Sequence, residues 1–342
     1  MIDPSAFATF PVLDTSMSQL DTWSRCDRRY MYRYVRGLVP VGASDAMIWG
    51  TLFHRAAQEY YRSIQSGLTE ASANVNVHWI IDNTTKVENQ YHGDSEITLS
   101  QEQRETMHDC WDYYYQQTAS KDEWDEIVKV EDPIFLVIGY NGQPVLRIRS
   151  TLDMIARKNG KLVVVDHKTT GDVEQSVEFL ALDFQVREYP LAVRAYYEED
   201  PIVCYNMIAR EVPPGFGRRP LTTDTGRKRN ADTLANMQRP ERYLRREWLS
   251  FSEAQHNSFQ LNLVQIALAL QFEGNAGIWP RRIVKMGGMA CSGCPYFAIC
   301  TAELDGRKIA DDAPLVTMAF TRDPLLEKPK IYIPPSGSPF AR

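Results

Sequence analysis

One stretch limits what this chain can fold into more than any other: STLDMIARKNGKLVVVDHKTTG, residues 150–171. An Asn-Gly pair between apolar runs is the strongest short-range hairpin signal, because both turn residues must adopt positive φ. With Asn159 and Gly160 as the two turn residues, Lys158 faces Lys161, Asp153 faces Asp166, and Thr151 faces Lys168. Asp166 and Lys168 are two apart and therefore share a sheet face. A second pair, Asn141-Gly142, lies upstream, so the Val- and Ile-rich residues 127–168 read as a three-stranded antiparallel meander. The run Leu162 to Val165 marks the last of these strands as buried and central.

Two carboxylates placed opposite one another have Cβ atoms about 5 Å apart, which is destabilising unless something positive lies between them. A divalent cation is the natural occupant, since Mg²⁺ and Mn²⁺ favour carboxylate and water ligands. Lys168 would add a fixed positive charge beside that ion. Such a group can generate hydroxide and stabilise a pentavalent phosphorane. As ordinary strand residues the three would form only a surface salt bridge. An acid and a lysine closing a run of four buried apolar residues call for a stronger reason.

Around the hairpin the texture is mostly helical. No proline falls between Pro40 and Pro133. Helices are expected from Ser18 to Gly37, from about Thr51 to Gln65, over residues 69–90 and over residues 100–118. After the meander, residues 174–199 read as a helix in which Pro190 permits a kink or a late start. A strand follows over residues 202–211, then a basic loop from Pro213 to Pro240, then a long helix over residues 252–275. The end is polar and Pro-rich, with the last dozen residues expected as a tail. In 342 residues, 44% hydrophobic and 11% aromatic, there is material for a sizeable core, and disordered or collagen-like classes are excluded. No apolar run of membrane-spanning length and no secretory signal is apparent, so a cytosolic protein with no membrane partner is expected. The formal charge is −6, yet ten Arg or Lys stand against four acids between Arg210 and Arg246, and five Arg against one Asp from Arg25 to Arg36. Global acidity with regional basicity suits a protein that grips a nucleic-acid backbone in one groove.

An Asp, a hairpin and then apolar strand–Asp–x–Lys resembles the PD-(D/E)XK nuclease superfamily, and DHKTTG looks like its RecB-like branch. That resemblance implies an α/β restriction-endonuclease-like core, a mixed sheet flanked by helices. It implies that His54, in GTLFH, is a metal ligand together with Asp153, Asp166 and the carbonyl of His167. It also assigns Gln185 and Tyr189 to the family's Q-x-x-x-Y pattern. Their i, i+4 spacing puts both on one helix face, where they could approach the site and the DNA. Glu131 falls where relatives often carry an acid. Relatives usually carry Gly three residues before the first metal Asp. Here that place is Ser150, which is expected to narrow or re-shape the DNA path.

Six cysteines occur. CSGCPYFAIC places Cys291, Cys294 and Cys300 as three ligands of a soft-metal site, with no local fourth. Cys110 and Cys204 sit in apolar patterns and read as core. Cys26 lies in a polar, basic helix. The resemblance to AddB-type and CRISPR-associated nucleases implies that Cys26, Cys291, Cys294 and Cys300 hold a [4Fe–4S] cluster; thiolates suit it, and Zn²⁺ in a Cys₄ site fits them as well. Its role would be structural, since joining Cys26 to Cys291 closes a long loop, a constraint of about 5 kcal/mol.

The resulting expectation is a helical portion over 1–125 carrying Cys26 and His54, a nuclease core over 126–275, a cluster-binding region over 276–305 and a tail over 306–342. The expected activity is metal-dependent hydrolysis of DNA phosphodiesters with Mg²⁺ or Mn²⁺, and His54 points to exonuclease behaviour by analogy. Arg and Lys of the 210–246 segment would hold phosphates. The resemblance also implies a recombination, repair or phage DNA-processing setting, with a recombination or CRISPR-adaptation protein as partner. The alternative is an iron–sulfur DNA-binding subunit of a larger nuclease or helicase complex with weak or no cleavage of its own. An electron-transfer protein would fit the cysteines but leave the carboxylate hairpin unexplained. No G-x-x-x-x-G-K-[ST] phosphate loop is present, so ATP hydrolysis is not expected.

Overall fold

Both Asn-Gly pairs turn the chain as their chemistry requires. Asn141 and Gly142 have φ of 50° and 75°, and Asn159 and Gly160 have 52° and 74°, the two positive values of a type I′ turn. In a computed structural model, which describes residues 12–41, 45–84, 86–89, 93–96, 99–213, 216, 239–281, 291, 293–304, 306 and 308–323, these turns join three long strands. They are Glu126–Tyr140, Gln143–Lys158 and Lys161–Thr170. With the earlier strands Leu13–Ser16 (β1), Leu38–Pro40 (β2), Lys86–Asn89 (β3) and Gly93–Glu96 (β4), the meander strands are β5, β6 and β7.

The expected hairpin register holds from Lys158–Lys161 to Met154–Val165. There the pairing of β6 with β7 stops, one residue short of Asp153 and Asp166. β7 continues alongside the parallel strand β8 (Ile202–Ala209), and β9 (Leu244–Leu249) closes that edge antiparallel to β8. β5 pairs with β6 along nearly its whole length. The other edge of β6 is therefore shared, by β7 over residues 154–158 and by the parallel β1 over 146–149. Residues 150–153 lie between these two partners. This gives the expected mixed sheet, in the order β1-β6-β7-β8-β9 with β5 beside β6.

Helices cover both faces, as an apolar strand run buried on both sides demands. Leu162 to Val165 are each no more than 1% exposed. Val163 and Val165 join Phe53, Tyr60, Trp111 and Tyr114 from α3 (Asp45–Gln65) and α5 (Gln101–Gln117), with α4 (Glu70–Asn83) stacked outside them. Leu162 and Val164 join Tyr189, Leu191, Phe259 and Leu263 from α7 (Phe184–Tyr197) and α8 (Glu253–Ala276). No described helix is long and apolar enough to cross a membrane.

Several expectations are corrected. The helix expected from Ser18 to Gly37 breaks at Cys26, which is extended between α1 (Met17–Arg25) and α2 (Asp27–Tyr30), and a π-helical turn follows over Met31–Val35. Tertiary contacts explain the break: Arg28, Tyr32 and Arg36 all converge on the buried carboxylate of Glu303. The helix expected over 69–90 stops at Asn83, and β3 begins at Lys86. The helix expected over 174–199 is divided. Asp172 caps the six-residue α6 (Val173–Glu178), and Asp183 restarts the chain as α7 by accepting from the amides of Gln185 and Val186. Two sheet strands were not anticipated, β1 and β9. β9 reads LRREWL, an edge strand whose charges hide its period. Part of the expected tail is structured: α9 (Phe297–Ala302) and α10 (Pro314–Thr317) lead to β10 (Phe320–Arg322), which pairs with β2. Most of the expected basic loop and the last dozen residues lie outside the described residues.

Candidate active site

Asp153 sits where β6 loses one neighbour and has not yet gained the next. Its carboxylate is held from two sides. Oδ1 lies 3.0 Å from Nδ1 of His54 on α3. Oδ2 accepts from the backbone N–H of His167 at 2.7 Å and lies 3.1 Å from the His167 ring nitrogen Nδ1. The amide that would have continued the ladder thus serves the acid. His54 and His167 together hold Asp153 below the ordinary carboxylate range against the opposing pull of burial. In return Asp153 overcomes burial at His54 and raises its imidazole to about 9.

A third acid joins them through two irregularities in the β5–β6 ladder. Continuing the register set at the turn, Tyr140 opposite Gln143 and Gly139 opposite Pro144, would place Val130 opposite Asp153. Pro144 has no N–H to donate, and the ladder slips there by one residue until a second irregularity near Lys129 resets it. Between these points Val130 pairs with Met154 and Asp132 with Leu152, so Glu131 lies opposite Asp153. Glu131 has φ of 53°, a left-handed value costing of order 1–3 kcal/mol. His54, Glu131 and Asp153 offer ligand atoms all within 4.8 Å of one another, the one such constellation among the described residues. Burial and the nearby Asp153 charge raise Glu131 to about 7.

Asp166 is buried on the α7 side of β7. Burial, then the Asp153 charge, raise it to about 8, while His54 and Lys168 favour its anion. The hydroxyls of Tyr189 and Tyr205 interact with it, and the side-chain amide of Gln185 donates to the Tyr189 hydroxyl. Lys168, two residues on, is exposed. The structure therefore brings His54, Asp153, Asp166, His167, Lys168, Gln185 and Tyr189 to one locality, with Glu131 added. Asp166 stands beside the three-ligand constellation rather than within it. Two carboxylates, a third acid and an imidazole make a donor set suited to a divalent cation of the Mg²⁺ or Mn²⁺ class.

Behind the acids lies a network that short motifs do not reveal. The His167 ring is buried, and burial lowers its pKa. A neutral ring donating from Nδ1 to Asp153 accepts at Nε2 from the Tyr114 hydroxyl, 2.8 Å away. Tyr114 meets Tyr61 at 2.7 Å, Tyr61 reaches Asp122 at 3.1 Å, and Arg246 grips Asp122 with both terminal nitrogens. This corrects one expectation: Arg246 is committed to Asp122 and Asn206, Arg245 pairs with Glu247 and Arg239 with Glu174. Of these, Arg246 braces the fold through a buried carboxylate, whereas Arg245 and Arg239 make exposed surface pairs. Arg210, just past the end of β8, has its guanidinium over Gly171 at the end of β7, where an added Cβ would meet it at 2.9 Å. Ser150 is likewise corrected. It is buried and donates to Glu188 at 2.8 Å, so its side chain offers no open surface. Burial raises Glu188 to about 8.

The four cysteines come from opposite ends of the chain. Cys26 occupies the break before α2, and Cys291 and Cys294 lie in the turn before α9, which carries Cys300. The Cys294 thiol is raised by burial and feels Arg29 and the thiols of Cys26 and Cys291. Arg281 donates to the Cys300 sulfur at 3.4 Å. Cys110 and Cys204 are buried, as expected of core residues.

Comparison with known proteins settles the ancestry. The family model of the PD-(D/E)XK nuclease superfamily matches residues 14–301. The chain belongs to that superfamily. The match runs from β1 to α9 and so includes every site residue described above. Among solved structures, the chain is similar to a crystal structure from Eubacterium rectale provisionally termed an exonuclease. Identity is 10%, coverage is 85% of this chain and 97% of that one, and the TM-score is 0.43. No curated protein matches at a significant level.

Proposed function

We propose that this PD-(D/E)XK protein is a metal-dependent deoxyribonuclease acting from DNA ends. The observation that carries this reading is the row of acids across three strands, Glu131, Asp153 and Asp166, with His54 on one side and Lys168 on the other. His54, Glu131, Asp153, Asp166 and the carbonyl of His167 would hold Mg²⁺ or Mn²⁺. Such an ion would lower the pKa of a bound water and offset charge on the phosphate. Lys168, as an ammonium, would orient the attacking water and favour its loss of a proton to solvent. Gln185 and Tyr189, linked to each other and facing Asp166, would position that acid and the DNA strand. Water oxygen attacks phosphorus, the bridging P–O bond breaks, and the departing alkoxide takes a proton from solvent. Arginines of the 210–246 segment, Arg210 included, would contact the backbone.

We further propose that Cys26, Cys291, Cys294 and Cys300 bind a structural [4Fe–4S] cluster. Their free thiols and the arginines beside them suit a site whose ligands are anionic. On this reading residues 1–125, 126–275, 276–305 and 306–342 act as helical portion, core, cluster region and tail.

The test of the active site is Asp166→Ala and Lys168→Ala on purified protein with Mn²⁺ and DNA. Both should abolish degradation, and unchanged degradation by either refutes the assignment. Linear DNA should be consumed and covalently closed circles spared; loss of the circles would overturn the requirement for an end. The spectrum of anaerobically purified protein tests the cluster. A broad iron–sulfur absorption supports it, and a colourless, zinc-loaded protein overturns it.

A further inference from the structure

Helices α4 and α5 meet at a second group of metal-competent side chains, outside the nuclease centre. The ring centroids of His78 and His108 lie 5.0 Å apart with planes 21° from parallel, and the rings meet edge to edge, their Nδ1 atoms 2.8 Å apart. The outward nitrogen of each ring faces a carboxylate. Nε2 of His78 lies 3.0 Å from Asp112, and Nε2 of His108 lies 2.8 Å from Asp82. An ionised carboxylate only accepts, so Nε2 of His108 carries the proton of its hydrogen bond to Asp82. The two inward Nδ1 atoms have one proton between them, which one ring donates and the other accepts.

This is the outer frame of a histidine metal site. Ligating imidazoles characteristically donate their second N–H to a carboxylate, which fixes the tautomer and aims the other nitrogen at the ion. Here Asp82 fixes the His108 ring, Asp112 stands beside the outer nitrogen of His78, and the two Nδ1 atoms face each other. A tetrahedral Zn²⁺ with Zn–N of about 2.0–2.1 Å needs its two nitrogens about 3.3 Å apart, so the pair must part by about half an ångström. A cleft of about 350 Å³ opens onto the pair, lined by His78, Asp82, Gln101, Arg104, Glu105 and His108. The Arg104 guanidinium donates to the carbonyls of Ile81 and Asp82 at the end of α4. The cleft has room for water to complete the coordination.

We propose that His78 and His108 bind a divalent transition-metal ion of the zinc class through Nδ1, replacing the shared proton, with Asp82 and Asp112 as positioning residues. Imidazole donors select such an ion over Mg²⁺, so this site is distinct in preference from the nuclease centre. By joining α4 to α5 it would brace the helix that presents Tyr114 to His167.

The experiment is a difference measurement on the full chain. Wild type and a His78→Gln/His108→Gln variant are incubated with Zn²⁺, desalted and analysed for metal. Zinc held by the cysteines or the nuclease centre cancels in the difference. One additional equivalent in wild type supports the site, and equal zinc content overturns it, leaving the pair as a proton-sharing clamp between helices. Mg²⁺-dependent nuclease activity and circular dichroism report whether the variant folds. A second arm needs no variant: Zn²⁺ should protect His78 and His108 of wild type from diethylpyrocarbonate, read by peptide mass. Equal modification of both histidines with and without zinc overturns the proposal.

Discussion

Binding of a divalent ion at the nuclease centre should expel protons, and their number follows from the structure. Without a cation, His54 lies at about 9, Asp166 at about 8 and Glu131 at about 7, while Asp153 is already ionised. At pH 7 the first two are mostly protonated and the third about half so. A bound cation requires all of them in their basic forms, so roughly two protons should leave per ion near pH 7 and fewer than one near pH 9. The apparent affinity for Mg²⁺ should therefore rise by up to about 100-fold per pH unit near neutrality, then level off. Titration calorimetry in buffers of different ionisation enthalpy counts the protons directly. Catalytically silent Lys168→Ala protein with no DNA keeps turnover out of the signal. Replacing His54 with Gln should remove about one proton from the count. Release of less than half a proton at pH 7, or an affinity flat from pH 6.5 to 8.5, would refute the reasoning.

The same shifts fix the sign of the pH dependence of stability. Asp166, Glu131 and His54 have folded-state pKa values above their ordinary ones, so their contribution is fully present in acid, declines once pH passes the ordinary value of each group and is gone above about 7 to 9. Asp153 works the other way, its contribution being lost only in acid. Metal-free protein should accordingly melt at lower temperature at pH 9 than at pH 6. Saturating Mg²⁺ should remove most of that difference.

Three further predictions concern the surroundings of the site. Tyr114→Phe removes the hydroxyl between His167 and Tyr61 and leaves buried polar atoms unpaired; denaturant unfolding should show a loss of about 1–3 kcal/mol. Mg²⁺ should bind that variant about 10–100-fold more weakly as His167 loses its orientation. Unchanged stability would mean that the network is not formed. Glu188→Gln should fold with stability near wild type, because burial already keeps the acid protonated beside Ser150 at neutral pH; a steep loss in thermal melting would instead place a carboxylate there. Glu303→Ala leaves Arg28 and Arg36 without their shared carboxylate, one of them buried. It should cost about 3–5 kcal/mol and expose the C-terminal segment to limited proteolysis ahead of the sheet.

How far the site could be seen in advance depends on the distance over which each determinant acts. Asp153, Asp166 and Lys168 were legible because the Asn159-Gly160 turn fixes register locally, and five pairs follow it without interruption. Gln185 and Tyr189 were legible as a pattern, and Asp183 supports it by starting α7 two residues before Gln185. Glu131 was marked by resemblance alone, because turn arithmetic from Asn141-Gly142 places Val130 opposite Asp153. Only the slip at Pro144 brings the acid across. A proline two residues past a tight turn was the available signal, since it cannot donate to the ladder. The break at Cys26 had no such signal. DTWSRCDRRYMYRY is good helix sequence on its own, and what interrupts it is a carboxylate, Glu303, more than 270 residues away. The paired arginines of the 210–246 segment fail for the same reason: composition gives the sign of a charge, but whether Arg246 meets phosphate or Asp122 depends on which strand lies beside β8. Local chemistry thus wrote the acids into the sequence, and long-range pairing determines which basic residues remain to hold a substrate.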